Sequence, residues 1–129
     1  FARWAETSEE HLTRSTLGAL SLDTPLYSSM TTASDVLWSG VPLVALPQEK
    51  MVSRLSSSLL QALEMPHLIA RTPSDYTHLA TRLAAKATAE HPSYTHTHAH
   101  SYSAVRRAVR AHAARSAIFD MDARAHAIE

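Results

Sequence analysis

There is no cysteine in this chain of 129 residues, so neither a disulfide framework nor thiolate chemistry is available to it. Asparagine is absent too, which removes every N-x-Ser/Thr glycosylation sequon. The only glycines are Gly18 and Gly40, so a Walker loop and a G-x-G-x-x-G fingerprint are both excluded. A G-x-S-x-G elbow and an H-E-x-x-H metal helix are likewise missing. No apolar run approaches the roughly 20 residues needed to span a bilayer, and the first residues lack the basic-then-apolar layout of a signal peptide. Excess charge of either sign is also lacking: 12 Lys and Arg balance 12 Asp and Glu, so no nucleic-acid or membrane partner is implied. Together these absences favour the cytoplasm, with the nucleus open for a eukaryotic chain.

What is present reads as a globular chain, 45% hydrophobic and 19% charged, of a length suited to one domain or part of one. It opens on Phe1 rather than Met, in what reads as a strand, and is therefore expected to be a piece of a longer polypeptide whose site is partly elsewhere.

Taken in order, Phe1 to Trp4 is the end of a strand. Thr7 or Ser8 then caps a helix with Glu9 and Glu10 in its first turn, where the macrodipole favours acids. That helix is expected to run through His11, Leu12, Arg14 and Leu17 to Gly18, with a strand from Ala19 to Leu22 after it. Pro42 to Leu46 is a continuous apolar run, as in a parallel strand buried on both faces. Met51, Leu55, Leu59 and Leu63 recur every four positions and predict one core-facing helix from Lys50 to Leu63. A short strand at His67–Ala70 and a helix capped by Thr72 or Ser74 follow, the latter through Tyr76, Leu79, Leu83 and Ala87. This alternation predicts an α/β, doubly wound, parallel-sheet domain with helices on both faces. Residues 92–102 form a His/Ser/Thr-rich loop or insertion, and 103–129 are expected to be C-terminal helices packing back on the body, including a basic helix from Ala104 to Arg115.

The chain is organised around Thr31-Thr32-Ala33-Ser34-Asp35-Val36-Leu37-Trp38-Ser39-Gly40, between two apolar runs. Two hydroxyls followed one turn later by an acid suit a helix N-terminus facing a phosphate, where free backbone N–H groups and a partial positive charge meet the anion. The same residues also fit a capping box, Thr32-x-x-Asp35, which needs no ligand. Spacing leaves both readings open. In a doubly wound sheet the loop before Thr31 lies at the carboxyl end of a strand, where ligands bind.

Two other clusters carry less. His96, His98 and His100 alternate with small residues, a spacing that can line one side of a zinc ion, but the tract holds no acid and reads as a solvated loop; no metal site is assigned. Arg106, Arg107, Arg110 and Arg115 have no interleaved aromatic residues and read as an exposed helix face.

Leu22-Asp23-Thr24-Pro25-Leu26, the stretch from Met30 to Pro42, and Ser53-Arg54 together resemble the C-terminal catalytic lobe of the O-linked N-acetylglucosamine transferases, with Glu9-Glu10-His11, Arg14 and Phe119-Asp120 fitting the same lobe. The resemblance covers most of residues 1–90 and resumes near Arg115, and the lobe it implies spans 1–91. It implies a Rossmann-like, partial UDP-sugar-binding lobe of a GT-B glycosyltransferase that transfers N-acetylglucosamine from UDP-N-acetylglucosamine to Ser or Thr of acceptor proteins without a metal cofactor. It further implies a UDP site at His11, Arg14, Met30, Thr31, Thr32 and Asp35. Thr31 and Thr32 would hold the diphosphate, Asp35 would accept the ribose hydroxyls, and His11 would lie against the uracil.

The sequence departs from the family's pattern at four places. Met30 stands where a His donor is usual, Ser8 replaces a Lys, Ser28-Ser29 replace Asn-Gly, and Gln48 replaces a Gly. Losing one diphosphate donor is worth on the order of 1–3 kcal/mol of transition-state stabilisation. Catalytic residues are expected in an upstream lobe, itself preceded by helical repeats of about 34 residues, so these residues alone are expected to bind UDP weakly and not to turn over. The competing expectation is a degenerate, non-catalytic lobe serving as a structural or interaction module.

Overall fold

Helix α1, Ser8–Ser15, starts where its sequence says it should: Thr7 has extended backbone and its Oγ1 accepts the Glu10 N–H at 3.1 Å. The Glu10 carboxylate reaches back to accept the N–H of Glu6, the residue before the cap, at 2.8 Å, which ties the entering chain to the first turn. The helix ends sooner than expected. Thr16 is its C-cap, the following amides fold back in tighter three-residue turns, and Leu17 is left outside at 85% exposure. In this computed structural model residues 5–89 and 102–120 are described. The expected strand at Phe1–Trp4, the histidine tract at 96–100 and the closing helix after Asp120 lie outside them.

After α1 the described elements alternate as β1 (Ser21–Leu22), α2 (Thr31–Trp38), β2 (Leu43–Val44), α3 (Leu55–Ala62), α4 (Pro73–Ala89) and α5 (Tyr102–Arg115). β1 and β2 pair in parallel, Ser21 with Leu43 and Leu22 with Val44. A third parallel segment joins through one bridge, Ala45 to Ile69, with Ala70 N–H donating to Ala45 O at 2.8 Å. β2 is therefore flanked on both sides, and every residue from Val41 to Leu46 is buried. That central place explains the uninterrupted apolar run. The chain is α/β with a small parallel sheet.

Three expected elements are shorter than the sequence suggested, each for a specific reason. The strand expected from Ala19 begins at Ser21, because the Ala19 carbonyl is taken by the Tyr102 hydroxyl of α5. His67–Ala70 is mostly a single 3-10 turn, Pro66–Leu68, led by the proline, and only Ile69 reaches the sheet. The helix expected from Lys50 to Leu63 breaks into a 3-10 turn at Met51–Ser53 and α3 proper. Serines cause the break: Ser53 Oγ donates to Lys50 O and accepts the Gln48 N–H, while Ser57 and Ser58 Oγ both donate to Arg54 O. Met51, the first residue of the expected apolar stripe, is 77% exposed.

The core is one cluster. Leu37 of α2, Leu43 and Val44 of β2, Leu60 and Leu63 of α3, and Val109 and Ala113 of α5 are all at or near zero exposure. α5 lies against α2, and the Trp38 and Phe119 rings meet at 5.2 Å, tilted by 50°. Among the described residues no helix is long and apolar enough to cross a membrane.

Candidate functional site

The first turn of α2 decides between the two readings of Thr31–Asp35. The helix begins at Thr31, so its N-cap is Met30, whose backbone is already near-helical and whose side chain makes no capping bond. Thr32 is the second helical residue and cannot act as a cap. The capping box is absent. Ser34 N–H donates to Met30 O at 3.1 Å, and the preceding amides of Thr31, Thr32 and Ala33 come too early in the helix for an intrahelical partner. Thr31 and Thr32 are both exposed, and Met30 is 59% exposed.

What starts the helix this early is the loop before it. Asp23, at 3% exposure, follows β1 and accepts from Ser28 Oγ at 2.7 Å, Ser29 N–H at 2.8 Å and Ser29 Oγ at 2.8 Å. Ser28 Oγ accepts the Ser56 N–H at 2.9 Å, and Ser56 Oγ donates to Ser29 O at 2.7 Å, which ties the loop to α3. From α4 the Tyr76 hydroxyl donates to Asp23 O at 2.7 Å. Burial, and then the nearby Asp23 carboxylate, raise the Tyr76 pKa above its ordinary value, so the phenol keeps the proton this bond requires. None of Asp23, Ser28, Ser29, Ser56 or Tyr76 stood among the sequence-predicted site residues. The available signal was a Ser-Ser pair where the resembled family has Asn-Gly, five positions after an acid that ends a strand.

α1 and α2 wall a cleft of about 400 Å³ lined by Ala5, Glu6, Thr7, Ser8, His11, Leu12 and Asp35. His11 Nε2 stands 3.3 Å from Asp35 Oδ2, with both side chains roughly half exposed. A solvated pair of this kind contributes little to stability and is accessible to a ligand. The two helices are locked by Ser39 Oγ, which donates to Leu12 O at 3.2 Å.

The predicted residues therefore divide. His11 and Asp35 meet in the cleft wall. Thr31 and Thr32 stand one turn before Asp35 at the open end of α2, outside the lining, and Met30 is beside them. Arg14 is elsewhere: its Nη2 is 2.5 Å from Glu10 Oε1, and it does not line the cleft. Ser8 does line it, so the wall position where the resembled family has a lysine is uncharged here. Gln48 is occupied in the turn after β2, its carbonyl accepting from Arg54 Nε at 2.8 Å. A larger hollow of about 500 Å³ lies between the ends of α3 and α5, lined by Glu64, His112 and Arg115 among others, and shares no residue with this cleft. Among the described residues no three His, Asp or Glu side chains are grouped to hold a metal ion.

The arginines of α5 are not simply an exposed face. Arg106 Nε donates to Gly40 O at 3.1 Å and its Nη2 to Thr16 O at 3.2 Å, and Arg110 Nη2 approaches Ser39 O at 3.5 Å. These are the carbonyl ends of α1 and α2, where cations are favoured.

Comparison with known proteins returns one consistent relationship. A sequence model described as glycosyl transferase family 41 matches residues 1–128. The chain is 44% identical over 79 residues to a Caenorhabditis elegans UDP-N-acetylglucosamine–peptide N-acetylglucosaminyltransferase, covering 61% of this chain and 7% of that protein. It is 45% identical over 76 residues to the probable UDP-N-acetylglucosamine–peptide N-acetylglucosaminyltransferase SEC of Arabidopsis thaliana, covering 58% of this chain and 8% of the relative. Among solved structures, a mutant O-GlcNAc transferase of Thermobaculum terrenum aligns with a TM-score of 0.66 at 28% identity, over 81% of this chain and 18% of its own. The chain thus spans only a small part of the length of the relatives it matches.

Proposed function

The chain belongs to glycosyl transferase family 41, and we propose that it supplies the donor-nucleotide grip of a protein O-N-acetylglucosaminyltransferase. In this reading UDP-N-acetylglucosamine lays its diphosphate on the open N-terminus of α2. The free amides of the first turn and the Thr31 and Thr32 hydroxyls donate to it. Asp35, on the same helix face as Thr31, accepts the ribose hydroxyls, and His11 borders the uracil across the cleft. Charge that develops on the departing UDP meets donors already aimed at it by the Asp23–Ser28–Ser29 loop, which is the preorganisation that lowers a transition-state barrier. A facing upstream lobe would supply the acceptor site and the catalytic groups, within a longer polypeptide of GT-B architecture in which this small parallel α/β unit is part of a Rossmann-like lobe.

One observation carries the reading: α2 opens on two threonines with, among the described residues, no side chain bonded to its first amides, one turn from an accessible His11–Asp35 pair. Calorimetric titration of UDP into the protein, and into a Thr32→Ala, Asp35→Ala double variant, tests it. Loss of hydrogen bonds to a charged phosphate and to the ribose is worth roughly 1.5–3 kcal/mol each, so affinity falls at least about tenfold. Equal binding by both proteins would put the nucleotide elsewhere.

Met30 favours a second reading. An exposed thioether at the N-cap of α2 donates nothing to a diphosphate. If the parent gives no heat at millimolar UDP, the lobe is a non-catalytic interaction module and the donor-grip reading is wrong.

A further inference from the structure

Helix α4 carries a face that the donor cleft does not use. Leu79, Arg82, Leu83 and Lys86 fall at the three- and four-residue spacing that brings side chains to one side of a helix. With the 3-10 turn at Pro66–Leu68 and with α5 they enclose a hollow of about 210 Å³. Its floor is apolar: Leu68 and Leu83 are buried, and Leu79 and Val105 are partly buried against the same core. Its rim is basic, made of His67, Arg82 and Lys86, and no carboxylate lines it. None of these three side chains has an ion-pair or hydrogen-bond partner among the described residues. Lys86 stands in the last turn of α4, where the helix dipole favours a cation. That accounts for a lysine there, but not for Arg82 one turn earlier, nor for the partial burial of Lys86 beside an apolar floor. The acid of α4, Asp75, is two turns from Arg82 and lines a neighbouring hollow instead. Like charges one turn apart, as Arg82 and Lys86 are, repel until an anion joins them.

We propose that this hollow binds a small monocarboxylate with an apolar body, the body lying on Leu68, Leu79, Leu83 and Val105 and the carboxylate taking Arg82 and Lys86 at the rim. The size fits: at roughly 20–30 Å³ per heavy atom, the hollow has room for about seven to ten of them. The charge fits as well, because a carboxylate is ionised at neutral pH and its bonds to guanidinium and ammonium groups are about twice as strong as neutral ones. Burial of apolar surface on both sides supplies the rest of the attraction. An apolar floor with a few polar groups at its edge is the usual build of a small-molecule pocket. The hollow shares no residue with the cleft between α1 and α2, so this site is independent of the donor-nucleotide reading.

Octanoate is the probe, titrated into the intact protein while ¹H–¹³C methyl spectra are recorded. Saturable shifts are expected at the methyls of Leu68, Leu79, Leu83 and Val105. Acetate has the head without the body, and octylammonium reverses the charge on the same body. Each is expected to bind at least about tenfold more weakly than octanoate. Lys86→Gln breaks no bond among the described residues and is expected to weaken octanoate about tenfold while leaving the melting temperature unchanged. Arg115→Gln removes an equal charge from α5 outside this hollow and is expected to weaken it less than about twofold. Shifts confined to other methyls would place the ligand elsewhere and overturn the proposal. Equal binding of octanoate and octylammonium would overturn it too, since the rim would then read no charge, and equal binding of octanoate and acetate would show that the apolar floor takes no part. Unchanged binding in Lys86→Gln, or equal weakening by Lys86→Gln and Arg115→Gln, would leave only diffuse attraction to a basic surface and is a further refutation. Absence of any saturable shift at tens of millimolar octanoate refutes the site outright.

Discussion

The two ends of α2 are built in opposite ways. At its C-terminus every device for satisfying carbonyls is used: Gly40 sits at φ +74°, its N–H bonds Leu37 O at 3.0 Å, and Val41 N–H bonds Val36 O at 3.0 Å. That pair of bonds is a Schellman motif, and Arg106 and Arg110 reach in from α5 to cover the carbonyls that remain. At its N-terminus nothing comparable exists. Met30 offers no cap and Thr31 and Thr32 face outward. An eight-residue helix is marginal alone, so leaving its first amides uncapped has to be offset by the closed end and by the burial of Leu37. The contrast teaches where this fold places its stability and where it leaves an anion-seeking surface.

Breaking the closed end should have the largest effect. A Cβ at Gly40 would stand 2.3 Å from Arg110 Cγ and would hold a non-glycine residue in the left-handed region. Gly40→Ala is therefore expected to destabilise the protein by about 2 kcal/mol, the order of the left-handed penalty plus displacement of the arginine cap, measured by urea unfolding. A cost near zero would show that the closed end is not where α2 is held.

The loop behind the open end gives a middle effect. Tyr76→Phe removes the hydroxyl bond to Asp23 O and is expected to cost about 1 kcal/mol at neutral pH. Its pH signature has a definite sign. Because burial and Asp23 raise the folded-state pKa of Tyr76, the native state holds its proton more tightly than the unfolded chain. The stabilisation is intact below the ordinary tyrosine pKa of about 10 and falls as pH rises beyond it. The difference in unfolding free energy between the parent and Tyr76→Phe should therefore shrink above about pH 10. A constant difference across that window would count against the assigned cause.

The smallest effect on stability is expected at the open end itself. Thr32→Ala removes a hydroxyl that bonds nothing among the described residues and should change unfolding free energy by less than about 0.5 kcal/mol. A loss of 1 kcal/mol or more would return Thr32 to the role of a helix cap.

Which of these features could be read from the chain depends on how far apart their partners lie. The Thr7 cap with its acids in the first turn, the buried run through Val41–Leu46 and the glycine closing α2 are local patterns, and the structure carries all three. The parallel order of the sheet followed from alternation. The break before α3 did not, because a four-residue apolar period ignores serines that bond back to the chain and detach Met51 from the core. The capping box failed for a related reason: Thr32 and Asp35 have the spacing, but the loop fixed by Asp23 sets the start of the helix two residues too early for Thr32 to cap it. Long-range pairings were the least legible. Arg106 lies 66 positions from Gly40, and nothing around Arg106 in the sequence announces a helix C-terminus as its partner. His11 and Asp35 were reached through the family resemblance, and their meeting at 3.3 Å depends on how α1 packs on α2.

The central claim, that the open end of α2 receives the diphosphate of a nucleotide sugar, is tested most directly at the amides themselves. Backbone ¹H–¹⁵N spectra of the protein recorded with increasing UDP should show the largest downfield proton shifts at Thr31 and Thr32, as their N–H groups gain phosphate oxygens, with smaller changes at His11 and Asp35. Saturable shifts elsewhere in the chain, with Thr31 and Thr32 unmoved, would contradict it.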